Sequence, residues 1–323
     1  MTQLAQRPAP PAPPAAPTPA PGAAAPGSGG RALLISRAAA SATTVLAVML
    51  FVFVAEMVLV GPIKHTRNQA VLYQEFRSQV AEAVAPTGQL GAATKKDGVW
   101  VLDDKKPVPL GAPVTLMAIP SLGLKEIVSQ GTTSRVLMSG PGHRRDSPLP
   151  GQVGTVVVMG RQATYGGPFR KIDTLEPGDE IAFLTGQGKS LYKVTGIRRE
   201  GDPAPAADAT AARLTLMTGD GTPYLPSDVV RVDAALVSEK LPSVTGPVTV
   251  AGLSKGESPM AGDKSALLPL LLWSQLLLLL AVLLAWVRAV WGRWQSWMVC
   301  VPILGFVGFQ VAGLVAQLLP NLI

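Results

Sequence analysis

Residues 155–169 read TVVVMGRQATYGGPF, a short apolar run followed at once by a glycine-rich turn. The same texture recurs from residue 114 to residue 233, where clusters of Gly, Pro and Asp separate the apolar runs. The runs are residues 114–119, 155–159, 180–185, 191–195, 213–217 and 229–233. Short strands at this spacing predict an all-β barrel or sandwich of about 120 to 150 residues.

Five sequence motifs follow one another within this region. They are IPSLGL (119–124), the set QGT, GPGHR and LPG (130–132, 140–144 and 149–151), VVVMGRQATYGGPF (156–169), LEPGDEI (175–181) and LTLMTG (214–219). In this order they resemble the sortase family, in particular its actinobacterial class E. The resemblance implies a closed eight-stranded β-barrel with short helical insertions, anchored outside a Gram-positive membrane.

The resemblance also identifies the positions that carry sortase chemistry. In that family a cysteine thiolate attacks a threonine carbonyl of a sorting signal, a histidine transfers protons, and an arginine stabilises the oxyanion. The histidine position holds Arg161 here, and the cysteine position holds Gly219. Arg231 follows at a spacing that fits the arginine, although the register could instead place Val229 or Asp228 there. Arginine stays protonated near neutral pH and glycine has no side chain, so we expect the fold without the thiol reaction.

Three interpretations of this degenerate site are open. The candidate cleft residues Arg161, Gln162, Thr218, Gly219 and Arg231 could form a positively charged binding cleft for a carboxylate. The site could instead have lost its constraints together with its activity. Thr218 could also act as a non-standard nucleophile, although no histidine or lysine is indicated nearby to serve as its base.

The cysteine and the two histidines of the chain lie outside the positions that carry sortase chemistry. The single cysteine, Cys300, falls in an apolar run, and His65 follows the first apolar segment. His143 belongs to the GPGHR loop, where a structural role is expected. No metal-ligand spacing is recognisable, and the resemblance implies no cofactor. The basic residues are scattered rather than clustered with aromatics, which argues against nucleic-acid binding and leaves a mild preference for anionic lipid or wall polymer.

The composition indicates a membrane protein, with 48% hydrophobic and 15% charged residues. Residues 38–60, 267–287 and 298–319 predict three transmembrane helices, one N-terminal and two forming a C-terminal hairpin. The loop 288–297 carries two arginines and several tryptophans, which favours a cytoplasmic position. The N-terminus is then cytoplasmic and the β-domain extracytoplasmic. The first span is too long for a cleaved signal peptide, and no small-residue cleavage site follows it.

Three polar residues are predicted at membrane depth: Glu56, Gln310 and Gln317. An ionisable group there usually faces protein or a water-filled cavity. Glu56 could reach the outer interface, or it could pair with Gln275, Gln310 or Gln317 of another helix.

The sequence divides into a Pro/Ala-rich cytoplasmic tail (1–37), predicted to be disordered, the first span, a stalk and linker (61–112), the barrel (113–240), a second linker (241–266) and the hairpin. Within 61–112 the patterns predict a short amphipathic helix over 64–85 and one short strand over 98–102. One helix suffices to anchor a protein, so the hairpin predicts contact with another integral membrane protein.

Three roles fit this organisation. The expected one is a catalytically inactive, sortase-like module that binds or scaffolds a cell-envelope assembly, with an active sortase or a cell-wall or pilus-type protein among its possible partners. The first alternative is a cysteine-independent transpeptidase or hydrolase with a non-standard nucleophile. The second is a regulator of an active sortase.

Overall fold

A computed structural model of the protein describes residues 43, 47–206, 208, 210–243, 246, 248–291 and 293–323. Side chains are described for these residues except 284–291, 293–297, 300 and 301. The predicted tail, residues 1–37, and most of the first third of the predicted span lie outside the described residues.

Helical backbone runs from Ala47 to Ala81, and it includes a π-helical turn at Glu56–Val60 and the α-helix α1 (Gly61–Ala81). The turn lies at the one acidic residue of the apolar segment. Helix α1 packs on the barrel: the Gln69 side chain donates to the carbonyls of Ile127 and Ser139 and accepts from the N–H of Ile127. The stretch predicted as a stalk is therefore fixed to the barrel wall.

A two-stranded hairpin follows, with β1 (Leu90–Lys96) paired antiparallel to β2 (Val99–Pro107). The sequence predicted one short strand here, because residues 90–96 lack alternating apolar side chains. The hairpin is joined by backbone pairing and by Lys95, whose ammonium group lies 5.8 Å from the centre of the Trp100 ring.

The predicted eight-stranded barrel is confirmed. Its strands are β3 (Pro113–Ile119), β4 (Leu124–Gln130), β5 (Gly142–His143), β6 (Gly154–Met159), β7 (Glu180–Thr185), β8 (Gly188–Arg198), β9 (Ala212–Thr222) and β10 (Leu225–Leu236). The barrel closes in the order β10-β8-β7-β3-β4-β5-β6-β9. The pairs β4/β5 and β6/β9 are parallel and the others antiparallel. A short helix, α2 (Ser134–Leu137), lies between β4 and β5.

Alternating side chains of these strands fill the barrel. The core includes Val114, Met117 and Ile119 of β3, Val156 and Val158 of β6, Leu214 and Leu216 of β9, and Val232 of β10. Because successive side chains of a strand point to opposite faces, the residues between these core positions lie on the outer face of the barrel. The candidate site lies on that face.

Two further helices complete the chain, α3 (Leu267–Trp291) and α4 (Arg293–Leu318). Most of the loop predicted over 288–297 is thus helical backbone. Among the described residues, Ala47–Ala81 and Lys264–Leu283 are long and apolar enough to cross a membrane, while Pro302–Leu318 is apolar but shorter. The third span stays a prediction.

Candidate functional site

The fold brings Arg161 and Gly219 together at one end of the parallel pair β6/β9. Met159 lies opposite Met217, and the Gly160 N–H donates to the Met217 carbonyl at 3.0 Å. Arg161 therefore leaves β6 at the level where Gly219 lies on β9. Both residues are buried.

Arg161 is fully buried, and its guanidinium is held by hydroxyl and main-chain oxygen acceptors. Nη2 donates to the Ser134 hydroxyl at 2.6 Å and to the Ser134 carbonyl at 3.3 Å. Nη1 donates to the Thr164 hydroxyl at 2.9 Å and to the Ile323 carbonyl at 3.4 Å. The Tyr165 ring packs against it, with 5.2 Å between the ring centre and the guanidinium carbon.

Burial lowers the pKa of Arg161 to about 10, and the nearby Tyr165 acts to raise it. The side chain thus stays protonated at neutral pH. It can attract an oxygen atom, but it cannot serve as a proton acceptor for a nucleophile.

Gly219 lies in a strand and has no positive φ, so the backbone does not require glycine there. Space does constrain the position. A Cβ atom would lie 2.8 Å from the Cβ of Pro226 and 3.2 Å from the carbonyl oxygen of Leu322. The strand pair β9/β10 and a distant segment of the chain have closed over the position.

Thr218 and Gly219 are adjacent in β9, so their side-chain directions lie on opposite faces of the strand. The Thr218 hydroxyl donates to the Gly160 carbonyl at 2.9 Å and is buried. Its proton is thus committed to a backbone acceptor rather than to a base.

Arg231 lies on the cleft face but beside Gly219 rather than opposite it. Val229 pairs with Gly219, and Arg231 pairs with Met217 two positions further along β10. Arg231 lines a separate cavity of about 520 Å³ with Arg198 and Arg213. Its guanidinium donates to the Val229 carbonyl at 3.2 Å.

The cleft is occupied by residues 321–323 of the same chain, which we call the plug segment. Leu322 is fully buried among Leu137, Val157, Met159 and Val229. Its carbonyl accepts from the Gln162 N–H at 3.0 Å, and the Ile323 carbonyl accepts from the Thr164 hydroxyl at 2.6 Å.

A second stretch, residues 254–263, holds the plug segment from the other side. The Asn321 side chain donates to the carbonyls of Gly256 and Ser258, both at 2.7 Å, and its N–H donates to the Ala261 carbonyl. This stretch is itself fastened to the barrel, because Glu257 forms a bidentate ion pair with Arg145. We call residues 254–263 the clasp. It lies within the region predicted as a linker.

Tyr165 connects the cleft to the apolar helix. Its ring packs on Arg161, and its hydroxyl donates to Glu56 Oε1 at 3.4 Å. Lys64 donates to the same oxygen at 2.6 Å, and Glu56 is fully buried. Glu56 thus pairs with the barrel loop and its own helix, not with Gln275, Gln310 or Gln317. Gln275 and Gln310 are exposed, and Gln317 is half-buried.

His143 lies away from this cleft, in the two-residue strand β5. Its Nε2 lies 2.9 Å from the Pro148 carbonyl, which can only accept a hydrogen bond, and Nδ1 faces the side-chain amide of Gln130. Burial lowers the pKa of His143 to about 4, although the Pro148 carbonyl and Asp146 act to raise it.

Acidification should therefore destabilise the protein through His143. Above pH 6.5 the imidazole is neutral in both states and the full stability is present. As the pH falls from 6.5 to about 4, the unfolded chain gains a proton that the folded chain excludes. The free energy of unfolding should fall by up to about 3 kcal/mol across this window.

Denaturant unfolding at several pH values, for the parent and for His143→Gln, measures this contribution. The difference in stability between the two proteins should shrink on acidification. A difference that stays constant between pH 7 and pH 4 would contradict the assignment.

The barrel region of the chain matches a known protein family. Residues 117–234 match the family model described as the sortase domain. This part of the chain is a sortase-like domain. It contains both Arg161 and Gly219.

Individual relatives cover different shares of the chain. Sortase D of Bacillus subtilis (strain 168) is 30% identical over 79 residues, which span 24% of this chain and 38% of that protein. A sortase D5 transpeptidase of Clostridium perfringens is 18% identical, with a TM-score of 0.40 over 54% of this chain and 98% of the other. Sortase E of Streptomyces avermitilis is 29% identical, with a TM-score of 0.35 over 46% and 99%.

Of the five predicted cleft residues, Arg161, Gln162 and Gly219 lie against the plug segment, whereas Arg231 lines a separate cavity and the Thr218 hydroxyl donates to the Gly160 carbonyl. Sequence reasoning missed the plug segment, the clasp and Tyr165. The plug segment and the clasp both lie outside the five motifs, and no local pattern marks them. Tyr165 carried one signal in the sequence, since it stands directly before two glycines in the motif. In the structure its φ is 50°, which non-glycine residues seldom adopt.

Proposed function

We propose that the sortase-like domain is a non-catalytic peptide-binding module of the cell envelope, held at the outer face of a membrane by its apolar helices. The observation that carries the proposal is the state of the nucleophile position. Gly219 has no side chain, and Pro226 and the Leu322 carbonyl fill the space in which one would lie.

The neighbouring groups do not supply a substitute reaction. A covalent mechanism needs a nucleophile and a base within hydrogen-bond reach. Arg161 is a buried cation, and the Thr218 hydroxyl donates to a backbone carbonyl. Cys300, the one cysteine of the chain, lies in helix α4 rather than on β9. These features favour the binding module over the cysteine-independent transpeptidase or hydrolase.

The plug segment indicates what the cleft can bind. It presents a branched apolar side chain to the pocket around Met159, and backbone carbonyls to Gln162 and Thr164. Backbone contacts combined with a side-chain pocket are a general mode of peptide recognition. We propose that the ligand is a peptide with Asn-Leu-Ile-like chemistry, from another envelope protein, that adopts the turn seen in the plug segment, where the Ile323 N–H donates to the Pro320 carbonyl, and that it competes with the plug segment.

The apolar helices are proposed to supply the second contact, with an integral membrane partner. Side chains on α3 such as Leu268, Leu278 and Val282 are more than 60% exposed, so this face is available to lipid or to a partner helix. An active sortase that passes substrates to the module is one such partner.

A peptide-capture experiment tests the proposal. The unaltered full chain and the double variant Asn321→Ala/Leu322→Ala, both in mild detergent, are titrated with a labelled peptide of residues 317–323. The double variant should bind at least about tenfold more tightly, because its own segment competes less well. A peptide with aspartate in place of Leu322 is the matched control and should not bind.

The same proteins are then incubated with sorting-signal peptides and an amine acceptor, beside a cysteine-containing sortase. Cleavage or transfer by the unaltered chain would refute the non-catalytic assignment. Failure of the double variant to bind the 317–323 peptide would refute the peptide cleft.

A further inference from the structure

A second cavity lies outside the cleft, between α1, the barrel and the clasp. Its volume is about 1220 Å³. Four basic side chains line it, Arg67, Arg135, Lys255 and Lys264, against one acidic side chain, Asp263. The lining thus carries a clear excess of positive charge.

These four cations are not neutralised within the part of the chain that the structure describes. None forms an ion pair or side-chain hydrogen bond with another described residue, whereas Arg145, Arg198 and Arg199 each pair with a carboxylate. Asp263 Oδ1 accepts from the Ser265 N–H. The positive charge of the cavity therefore remains available to a ligand.

A buried donor adds to this charge. Ser129 lines the same cavity and is 1% exposed, and its buried hydroxyl has no hydrogen-bond partner among the described residues. A buried hydroxyl without a partner costs free energy, so such a group in a cavity indicates a polar ligand.

The cavity lies where the apolar helices end. Ile63 of α1 and Leu267 of α3 are exposed apolar residues, and Arg67 and Lys264 follow or precede them within one helical turn. Helix α4 ends at the same level, since the Asp263 N–H donates to the Gln317 carbonyl at 2.8 Å. In a membrane this is the level of the lipid phosphates.

We propose that this cavity binds a phosphate group, and that an anionic phospholipid headgroup supplies it. Lys and Arg are the usual phosphate ligands, and each basic residue near an anionic membrane surface adds to the attraction. The inference goes beyond the proposed function and does not depend on whether the cleft is catalytic or binds a peptide.

The test uses the full chain purified in neutral detergent, with three probes: dihexanoyl-phosphatidylglycerol, dihexanoyl-phosphatidylcholine and inorganic phosphate. Phosphatidylglycerol should bind at least about tenfold more tightly than the zwitterionic lipid. Arg67→Gln and Lys264→Gln should each weaken binding about fivefold. Ser129→Ala should weaken it about threefold or more, as a hydrogen-bond donor is lost.

Lys105→Gln and Lys189→Gln are matched controls, because they remove the same charge from exposed positions outside the cavity. They should leave binding unchanged. Inorganic phosphate binding with the same variant pattern would support the site and identify a free anion as the source. Equal binding of the two lipids, or equal effects of cavity and control variants, would overturn the proposal.

Discussion

Replacement of Arg161 by alanine should lower the free energy of unfolding by about 3 kcal/mol. The guanidinium is fully buried and donates to the Ser134 hydroxyl, the Ser134 carbonyl and the Thr164 hydroxyl. Hydrogen bonds from a charged group contribute about 1.5 to 3 kcal/mol each, though not additively. The truncation also leaves a cavity, because Arg161 is among the largest fully buried side chains of the described residues.

Denaturant unfolding in mild detergent measures this loss. Arg170→Ala is the matched control: the residue lies in the same loop and is exposed, and its guanidinium donates to the Ala163 carbonyl at 3.4 Å. It should cost less than about 0.5 kcal/mol. Arg161→Lys should fall between the two, because an ammonium group lacks the planar fork that reaches Ser134 and Thr164 together. Equal stabilities of the two alanine variants would contradict a structural role for Arg161.

The same substitution should release the plug segment. Arg161 and Thr164 share the Ile323 carbonyl, so loss of the guanidinium weakens one end of that segment while Asn321 stays in the clasp. We expect faster amide hydrogen exchange at residues 322 and 323 and little change at residue 321.

The barrel was predictable because its signal is local. Six of the eight strands, β3 and β6 to β10, carry a short apolar run of their own, and glycine or proline marks turns between them, as in LEPGDEI at the start of β7. Strand β5 was not predictable, since two residues cannot show a period; they pair only because β4 and β6 lie on either side. Strand β1 was missed for a related reason, as its burial is confined to one end.

The packing of helix α1 was only partly predictable from its apolar pattern. The amphipathic helix predicted over 64–85 carries Val71, Leu72, Phe76 and Val80 at helical spacing. Leu72 and Phe76 are buried against Ile127, but Val71 and Val80 are exposed. The polar Gln69 fixes the helix to β4 instead, through three hydrogen bonds to backbone groups. Such contacts depend on which strand edge is free nearby, and periodicity does not carry that information.

The position of the plug segment in the cleft could not be predicted either, because it depends on contacts between residues that are far apart in sequence. The pair Arg161 and Ile323 is separated by 162 residues, and Arg145 and Glu257 by 112. The clasp has the Gly, Ser and Pro content of a solvated linker. What orders it is one buried carboxylate, Glu257, which pairs with Arg145 and accepts from the Ser254 N–H.

A cysteine introduced at position 219 should be shielded and inert. The variant is Gly219→Cys in a Cys300→Ser background, so that it carries a single thiol. Its Cβ would lie 2.8 Å from the Pro226 Cβ, closer than real side chains come, so β9 and β10 must shift. Overpacking of this kind typically costs about 1 to 3 kcal/mol. Arg161, which stands at the histidine position, is a cation and cannot accept the thiol proton.

Alkylation with iodoacetamide measures the shielding. Ser227→Cys in the same background is the control, because residue 227 is exposed and lies beside Pro226. The thiol at 219 should react at least about tenfold more slowly than the thiol at 227. It becomes accessible only when Pro226 or the plug segment moves away from it. Adding Asn321→Ala and Leu322→Ala should remove most of that difference. These substitutions release the plug segment, whose Leu322 carbonyl lies against position 219. If the thiol at 219 reacts as fast as the control while the plug segment is intact, the cleft is open. The peptide would then bind without competition, which would exclude the exchange with the plug segment proposed above.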